Sequence, residues 1–409
     1  MAPSSNCAMP AKDMLSMNNG DAVKLVPFYF PQFHAIPEND EWWGKGFTDW
    51  VNVKKGEPQF KGHYQPRVPL NDNYYDQSEK KIIQWQIDLA KSYGIYGFCH
   101  YHYWFDGKQM LQTPTNIFLE SKELNFPFCL AWANETWSRR WDGRDHHILI
   151  KQTHIPEKKK WLEHFQYLIK AWSDNRAIKV DGKPIFLIYR AHRIQKIGEM
   201  FDFWREKAEE YGLKGIYFVA MKQYEFPHRD FLKHFDAVVQ FQPFESVYSP
   251  DFDTSSIRHN RWFQLMRRLP EPVLEVFRSL RTTYFKSLTF YDYDAVWKQV
   301  IKEKHEGGMT TFPGAFVDWD NAARYCERAT VFQGACPERF EYWFKRLVES
   351  TLKRPQKERM IFLNAWNEWA EGTYLEPDIK NQYKYLEAVM RSNESALSSD
   401  ASFRENGMH

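Results

Sequence analysis

No C-x-x-C pair, no H-E-x-x-H and no G-x-G-x-x-G occurs in this 409-residue chain. Its five cysteines, Cys7, Cys99, Cys129, Cys326 and Cys336, are odd in number and widely scattered. That excludes a disulfide framework or a cysteine zinc site and points to reduced thiols in the cytosol. Cys99 and Cys129 sit inside apolar runs and are expected in the core. Charge of one sign is also missing: the formal net charge is +2, too small to field a nucleic-acid partner. No apolar run is long enough to span a bilayer. The opening "MAPSSNCAMPAKDMLSMNNGDA" has no apolar core of a secretory signal, so a flexible tail over 1–22 and a cytoplasmic location are expected. No internal repeat or low-complexity tract appears.

Aromatic rings, by contrast, are abundant, with 17 Trp, 22 Tyr and 32 Phe making up 17% of the chain. Cores alone rarely need so many tryptophans. Sugar-binding clefts do, because flat rings stack on the apolar C–H faces of pyranoses while hydroxyls bond to polar neighbours.

Short, nearly continuous apolar runs alternate with longer amphipathic stretches. Strands are expected at 23–30, 95–101, 127–133, 184–190, 215–221, 235–241, 309–317 and 359–366. Helical patterns fall at 76–93, 114–124, 157–173, 194–211, 228–234, 292–305, 337–353 and 379–393. Eight strand–helix units in series imply an α/β fold, a single (β/α)8 TIM-type barrel with long βα loops. The expected domain covers 23–393, with a helical insertion at 243–291 and a flexible C-terminal tail at 394–409. A doubly wound sheet is the alternative, weakened by the missing glycine fingerprint.

A barrel collects its functional groups just after each strand. The sequence obliges: Gln32 and His34, then His100, His102 and Trp104, then Asn134, Glu135 and Trp137, then Tyr189 and Arg190. Gln240 and Gln242 follow the sixth strand, Asp318, Trp319 and Asp320 the seventh. The eighth runs into "FLNAWNEWAEGTYLEPD", which holds Asn367, Glu368, Trp369, Glu371 and Glu376.

Glu368 and Glu371 stand three apart, a spacing that shares one face of a helical turn. Two carboxylates in one pocket separate their proton affinities, since one charge disfavours the other. One then serves as base or nucleophile while the other donates a proton at neutral pH, the pair that glycosidic cleavage requires. A solvated acidic turn is the plainer reading of an isolated E-x-x-E, and flanking aromatics at a strand end count against it. Glu376, before Pro377, is expected to act as charge at a helix N-terminus.

The remaining candidates are binding residues. Asp49 and Trp50 fit a hydroxyl acceptor beside a stacking ring, with a capping turn as the bland alternative. Trp50, Trp104, Trp137, Trp319 and Trp369 are candidate platforms. His100 and His102 lie in one strand, with only one expected to face the barrel interior. A metal shared with Glu135 has no supporting spacing, so neither metal nor cofactor is expected. Three D-x-D triplets, the last at Asp318 and Asp320, could hold the metal of a nucleotide-sugar transferase, yet no glycine-rich nucleotide fold accompanies them. "PENDEWWGKGFTDWVNV" could cap the barrel mouth. Residues 255–288 show helical periodicity with arginines on the polar side, fitting either a solvated helical pair or peripheral contact with membrane or a lipid-linked glycan. Oligomeric state is not legible.

Taken together, "VPFYFPQFHAIPENDEWWGKGFTDWVNV", "YGIYGFCHYHYWFDGK", "FPFCLAWANETWSRRWDG" and "FLNAWNEWAEGTYLEPD" resemble the WbsX-like proteins over roughly residues 23–391. That family is often labelled a glycosyltransferase of lipopolysaccharide or O-antigen synthesis. It is itself similar to family 99 glycoside hydrolases, (β/α)8 enzymes acting inside α-mannose-containing chains. The resemblance implies an endo-acting, retaining glycosidase working on an oligo- or polysaccharide. It also implies that Glu368 deprotonates the sugar 2-hydroxyl and Glu371 protonates the leaving oxygen. A surface-polysaccharide glycosyltransferase and a non-catalytic glycan-binding barrel are the alternative readings.

Overall fold

The computed structural model describes residues 22–139, 144–223, 229–257, 288–302 and 308–406. The expected N-terminal tail but for Ala22, and nearly all of the 255–288 segment, lie outside the described residues.

Nine parallel segments build a nearly closed barrel: β1 (Lys24–Tyr29), β2 (Phe98–Phe105), β3 (Phe128–Trp132), β4 (Lys183–Ile188), β5 (Tyr217–Lys222), β6 (Ala237–Gln240), β7 (Thr310–Phe312), β8 (Gly314–Phe316) and β9 (Met360–Asn364). Neighbours run in chain order from β1 to β7, and β9 returns between β8 and β1. β7 and β8 are halves of one expected strand interrupted at Pro313, which has no N–H to give a ladder. The first half pairs with β6 and the second with β9. The eightfold α/β barrel is therefore the one expected, with every strand in place.

Period-two alternation divides the core. Val26, Phe28, Cys99, Cys129, Ala131, Leu187, Val219 and Phe362 share the interior cluster. Leu25, Phe98, Leu130, Phe186, Phe218 and Leu363 turn outward onto the helices. Cys99 and Cys129 sit opposite each other in register as buried free thiols. The helix Lys80–Ser92 lays Ile83, Ile87 and Ala90 on this outer layer and gives way at Gly94, whose φ of +75° suits a residue without a Cβ.

The last helix departs from expectation. It begins at Lys384 and runs to Asn406, beyond the tail boundary at 394. No glycine or proline interrupts that stretch, and Val389 and Ala396 bury their side chains against the core. Arg391 also pairs with Glu341 at 2.7 Å, tying it to the helix Pro337–Leu352.

Candidate active site

Strand β9 ends at Asn364, and the chain then folds back as a hairpin in which Asn367–Glu368 pairs with Thr373–Tyr374. The connection is a 3-10 turn, Trp369–Glu371, closed by Gly372 at φ +68°. A Cβ there would lie 2.9 Å from the backbone of Asp320, so only glycine fits the turn. The expected helical face is thus a 3-10 turn at a hairpin tip, and it still delivers both glutamates to one cleft.

Buried polar groups fix the hairpin from behind. Asn367 accepts from the Phe30 amide at 2.8 Å and donates to its carbonyl at 3.0 Å, joining the hairpin to the end of β1. Glu376 accepts from the Tyr75 hydroxyl at 2.8 Å, from Gln86 at 2.7 Å and from the Trp369 indole at 2.7 Å. Burial outweighs these donors and lifts its carboxyl to about 7. Glu376 is a buried bracket rather than a helix-terminal charge.

The cleft over the barrel mouth holds about 420 Å³. Its floor carries Phe30, Tyr101, Tyr103 and Asn364, and its walls Trp42, Trp43, Trp137, Tyr189 and Trp319. Trp42 and Trp43 come from the helix Pro37–Trp43, so the tryptophan-rich loop does cover the mouth. Trp137 meets Tyr103 edge-on at 5.1 Å, and Phe244 meets Trp319 at 4.7 Å.

Arg324 lies among the carboxylates, buried, on the short helix Ala322–Tyr325. Its Nη1 reaches Glu371 at 2.5 Å and its Nη2 reaches Asp49 at 2.9 Å. Glu368 Oε2 stands 3.6 Å from Arg324 and makes no hydrogen bond. Burial, then the neighbouring Glu371 charge, raise Glu368 well above the ordinary carboxylate range. Burial also raises Glu371, opposed by Arg324 and aided by Asp49 and Glu135. Both carboxyls are therefore held above the ordinary carboxylate range.

Of the expected binding residues, Glu135, Trp137, Tyr189 and Trp319 line the cleft. Glu135 accepts from Arg190 Nε at 2.7 Å. Asp49 is fully buried, accepting from Asn52 at 2.9 Å as well as from Arg324. The others do not line the cleft. Trp50 is buried against Phe33 and Trp369, its indole donating to the Tyr75 carbonyl at 2.8 Å. Trp369 stacks on Tyr374 at 3.8 Å. Asn134 exchanges hydrogen bonds with the backbone of Arg190 and clamps the ends of β3 and β4.

His100 and His102 both turn out of the barrel. Residues two apart in a strand share a face, so neither reaches the interior. His100 packs between Tyr29 and Phe118, and His102 meets His164 at 2.8 Å. Burial depresses both to about 3. Trp104, on the same face, stacks on His164 at 4.6 Å. Asp318 is bound by Arg67 at 3.0 Å, and Asp320 by His63, Gln65 and Arg67. That D-x-D lies beside the hairpin in a side-chain network, not in the cleft. Among the described residues no cluster of three His, Cys, Asp or Glu is arranged as a metal site, and no helix is long and apolar enough to cross a membrane.

Arg324, Tyr101 and Tyr103 are cleft residues that sequence reasoning did not single out. Strand parity sets the two tyrosines on one face of "FCHYHYWF" without telling which face looks inward. Arg324 carries no local signal.

The Glycosyltransferase WbsX profile matches residues 25–389. The chain belongs to that family. Two strains of Xanthomonas campestris pv. campestris carry relatives described as uncharacterized protein WxcX, each 36% identical to it. The match takes in 90% of this chain and 49% of theirs, so the chain spans about half the length of these relatives. Among solved structures, the GH99 endo-alpha-mannosidase from Bacteroides thetaiotaomicron superposes with a TM-score of 0.52 at 12% identity, over 92% of this chain and 98% of that one. A protein described as glycoside hydrolase-like gives 0.53 at 12% identity, over 91% and 94%. At such identities the likeness is one of fold.

Proposed function

We propose that this WbsX-family chain cleaves internal glycosidic bonds of a mannose-containing or related bacterial polysaccharide, using Glu368 and Glu371 as its acid–base pair. The observation that carries this reading is the delivery of both glutamates, from one hairpin, into an aromatic-walled cleft at the barrel mouth. Burial raises both carboxyls, which favours a proton donor for the leaving oxygen within the pair. Trp137, Tyr189 and Trp319 offer faces for successive sugar rings. The likeness to family 99 hydrolases makes an internal nucleophile, the sugar 2-hydroxyl, and net retention the preferred route.

The family's name favours a second reading, a glycosyltransferase of surface-polysaccharide assembly. Among the described residues, the cleft cations count against it. Arg190 is engaged by Glu135 and Arg324 by Asp49 and Glu371, whereas a nucleotide-sugar diphosphate needs cations turned toward it.

Incubating wild type and Glu371→Gln with α-mannan and a panel of O-antigen and capsular glycans, without nucleotide-sugar, tests the choice. New reducing ends from wild type alone are expected. No release from any glycan, with transfer once nucleotide-sugar is added, would overturn the reading.

A further inference from the structure

The D-x-D at Asp318 and Asp320 is a clamp on the residue between them. Arg67 Nη2 donates to Asp318 at 3.0 Å and to Asp320 at 3.2 Å. Asp320 also accepts from Gln65 at 2.8 Å, and its amide donates to the Glu371 carbonyl at 2.8 Å. Trp319 gives its own amide to Asp318 Oδ1 at 2.7 Å and accepts at its carbonyl from Phe332 at 2.8 Å. Both backbone groups of the tryptophan are thus fixed. Its ring meets the edge of Phe244 at 4.7 Å, and both side chains line the cleft.

One polar group of this wall is left over. Trp319 is 3% exposed, and its indole N–H meets no acceptor among the described residues. Trp172 shares that lack, but it packs in the layer between barrel and helices. A buried donor without an acceptor is unfavourable, and a ligand that brings the acceptor recovers the loss. Chemistry narrows what that acceptor is. A carboxylate is disfavoured, since Glu135, Glu368 and Glu371 already line the cleft and Arg190 and Arg324 are ion-paired within it. A hydroxyl brings its own proton, which then needs a partner beside the apolar ring of Phe244. An amide oxygen brings two lone pairs and no proton, and the methyl of an acetyl group suits an aromatic wall.

We propose that the Trp319 indole N–H, held in place by the Arg67 clamp, is a specificity-determining donor for the acetyl carbonyl of an acetamido sugar in the glycan. The inference deepens the hydrolase reading and rests on it. The 2-hydroxyl route requires that oxygen free on the sugar being cleaved, so the acetamido group belongs to a neighbouring sugar of the chain.

Binding reads this without any bond being cleaved. The ¹⁵N-labelled full chain, as wild type and as Trp319→Phe, is titrated with N-acetylglucosamine, N-acetylgalactosamine and N-acetylmannosamine. Each is run beside its parent hexose, with glucuronic acid as the acidic sugar. In wild type at least one acetamido sugar should bind about tenfold tighter than its hexose. Saturation transfer should be strongest at its acetyl methyl, and the indole resonance that Trp319→Phe lacks should shift on binding. Trp319→Phe keeps an aromatic ring and loses the N–H. It should cut the advantage at least about threefold and leave hexose binding within about twofold. Phe244→Leu, a second variant should Trp319→Phe fail to fold, should also reduce the advantage, through the methyl contact. Equal binding of acetamido sugars and hexoses by wild type would overturn the proposal. So would tighter binding of glucuronic acid, or an advantage undiminished in folded Trp319→Phe or Phe244→Leu. Failure here leaves the hydrolase reading standing, whereas an acetamido preference without release of reducing ends would sink that reading alone.

Discussion

Glu376 carries no place in the proposed chemistry, yet it governs how the hairpin responds to pH. Its carboxyl, raised by burial to about 7 in the folded chain, returns to the ordinary range near 4.5 on unfolding. Between those values the folded state binds the proton and the unfolded state does not, so stability falls as pH rises from about 4.5 to 7. The difference corresponds to an order of about 3 kcal/mol. Glu376→Gln should flatten the fall in melting temperature between pH 5 and pH 8. An equally steep fall in the variant would show that another group drives it. Sequence reasoning saw this residue and misplaced it. Its three partners, Tyr75, Gln86 and Trp369, come from three separate segments, and only Trp369 is near in sequence. Arg324 was hidden for the same reason. Its ion pairs join residues 49 and 371 across the barrel mouth, contacts that no local pattern announces.

At the scale of the element, β2 shows how much a strand can reveal and conceal. A barrel strand was legible here, short, apolar and aromatic, but it was expected at 95–101 with His102 and Trp104 beyond its end, whereas it runs Phe98–Phe105 and includes both. Which face looked inward was not, because both faces are buried and polarity gives no cue. Parity then links His100, His102 and Trp104 on the outer face and Tyr101 and Tyr103 on the inner. The glutamate hairpin was legible for the opposite reason: charge directly after a buried strand of a barrel belongs at its C-terminal mouth. Tryptophans divide in the same way. Trp50 is held in the core, so Trp50→Ala should destabilise the fold by about 3–5 kcal/mol. Trp137 is half-buried on the cleft wall, so Trp137→Ala should leave the melting temperature within a few degrees while weakening glycan binding about tenfold or more, measured by calorimetry on the Glu371→Gln background. Unchanged affinity would remove Trp137 from the binding surface.

For the molecule as a whole, the eight-unit alternation determined the barrel, and the barrel determined where the chemistry could be. Closure brings β9 beside β1, so the hairpin after Asn364 meets the loops after Tyr29 although more than three hundred residues separate them. The glycan, its linkage and the direction of the reaction are not decided by that architecture, since one fold serves many activities. On the proposed reading, water delivered through the Glu368–Glu371 pair ends the reaction. Running the incubation with a cleaved glycan in H₂¹⁸O and weighing the new reducing ends tests it most directly. One ¹⁸O per new reducing end with wild type, and no product with Glu371→Gln, is the predicted result. Sugar passed intact to an acceptor, with no ¹⁸O gained and nucleotide released, would contradict it.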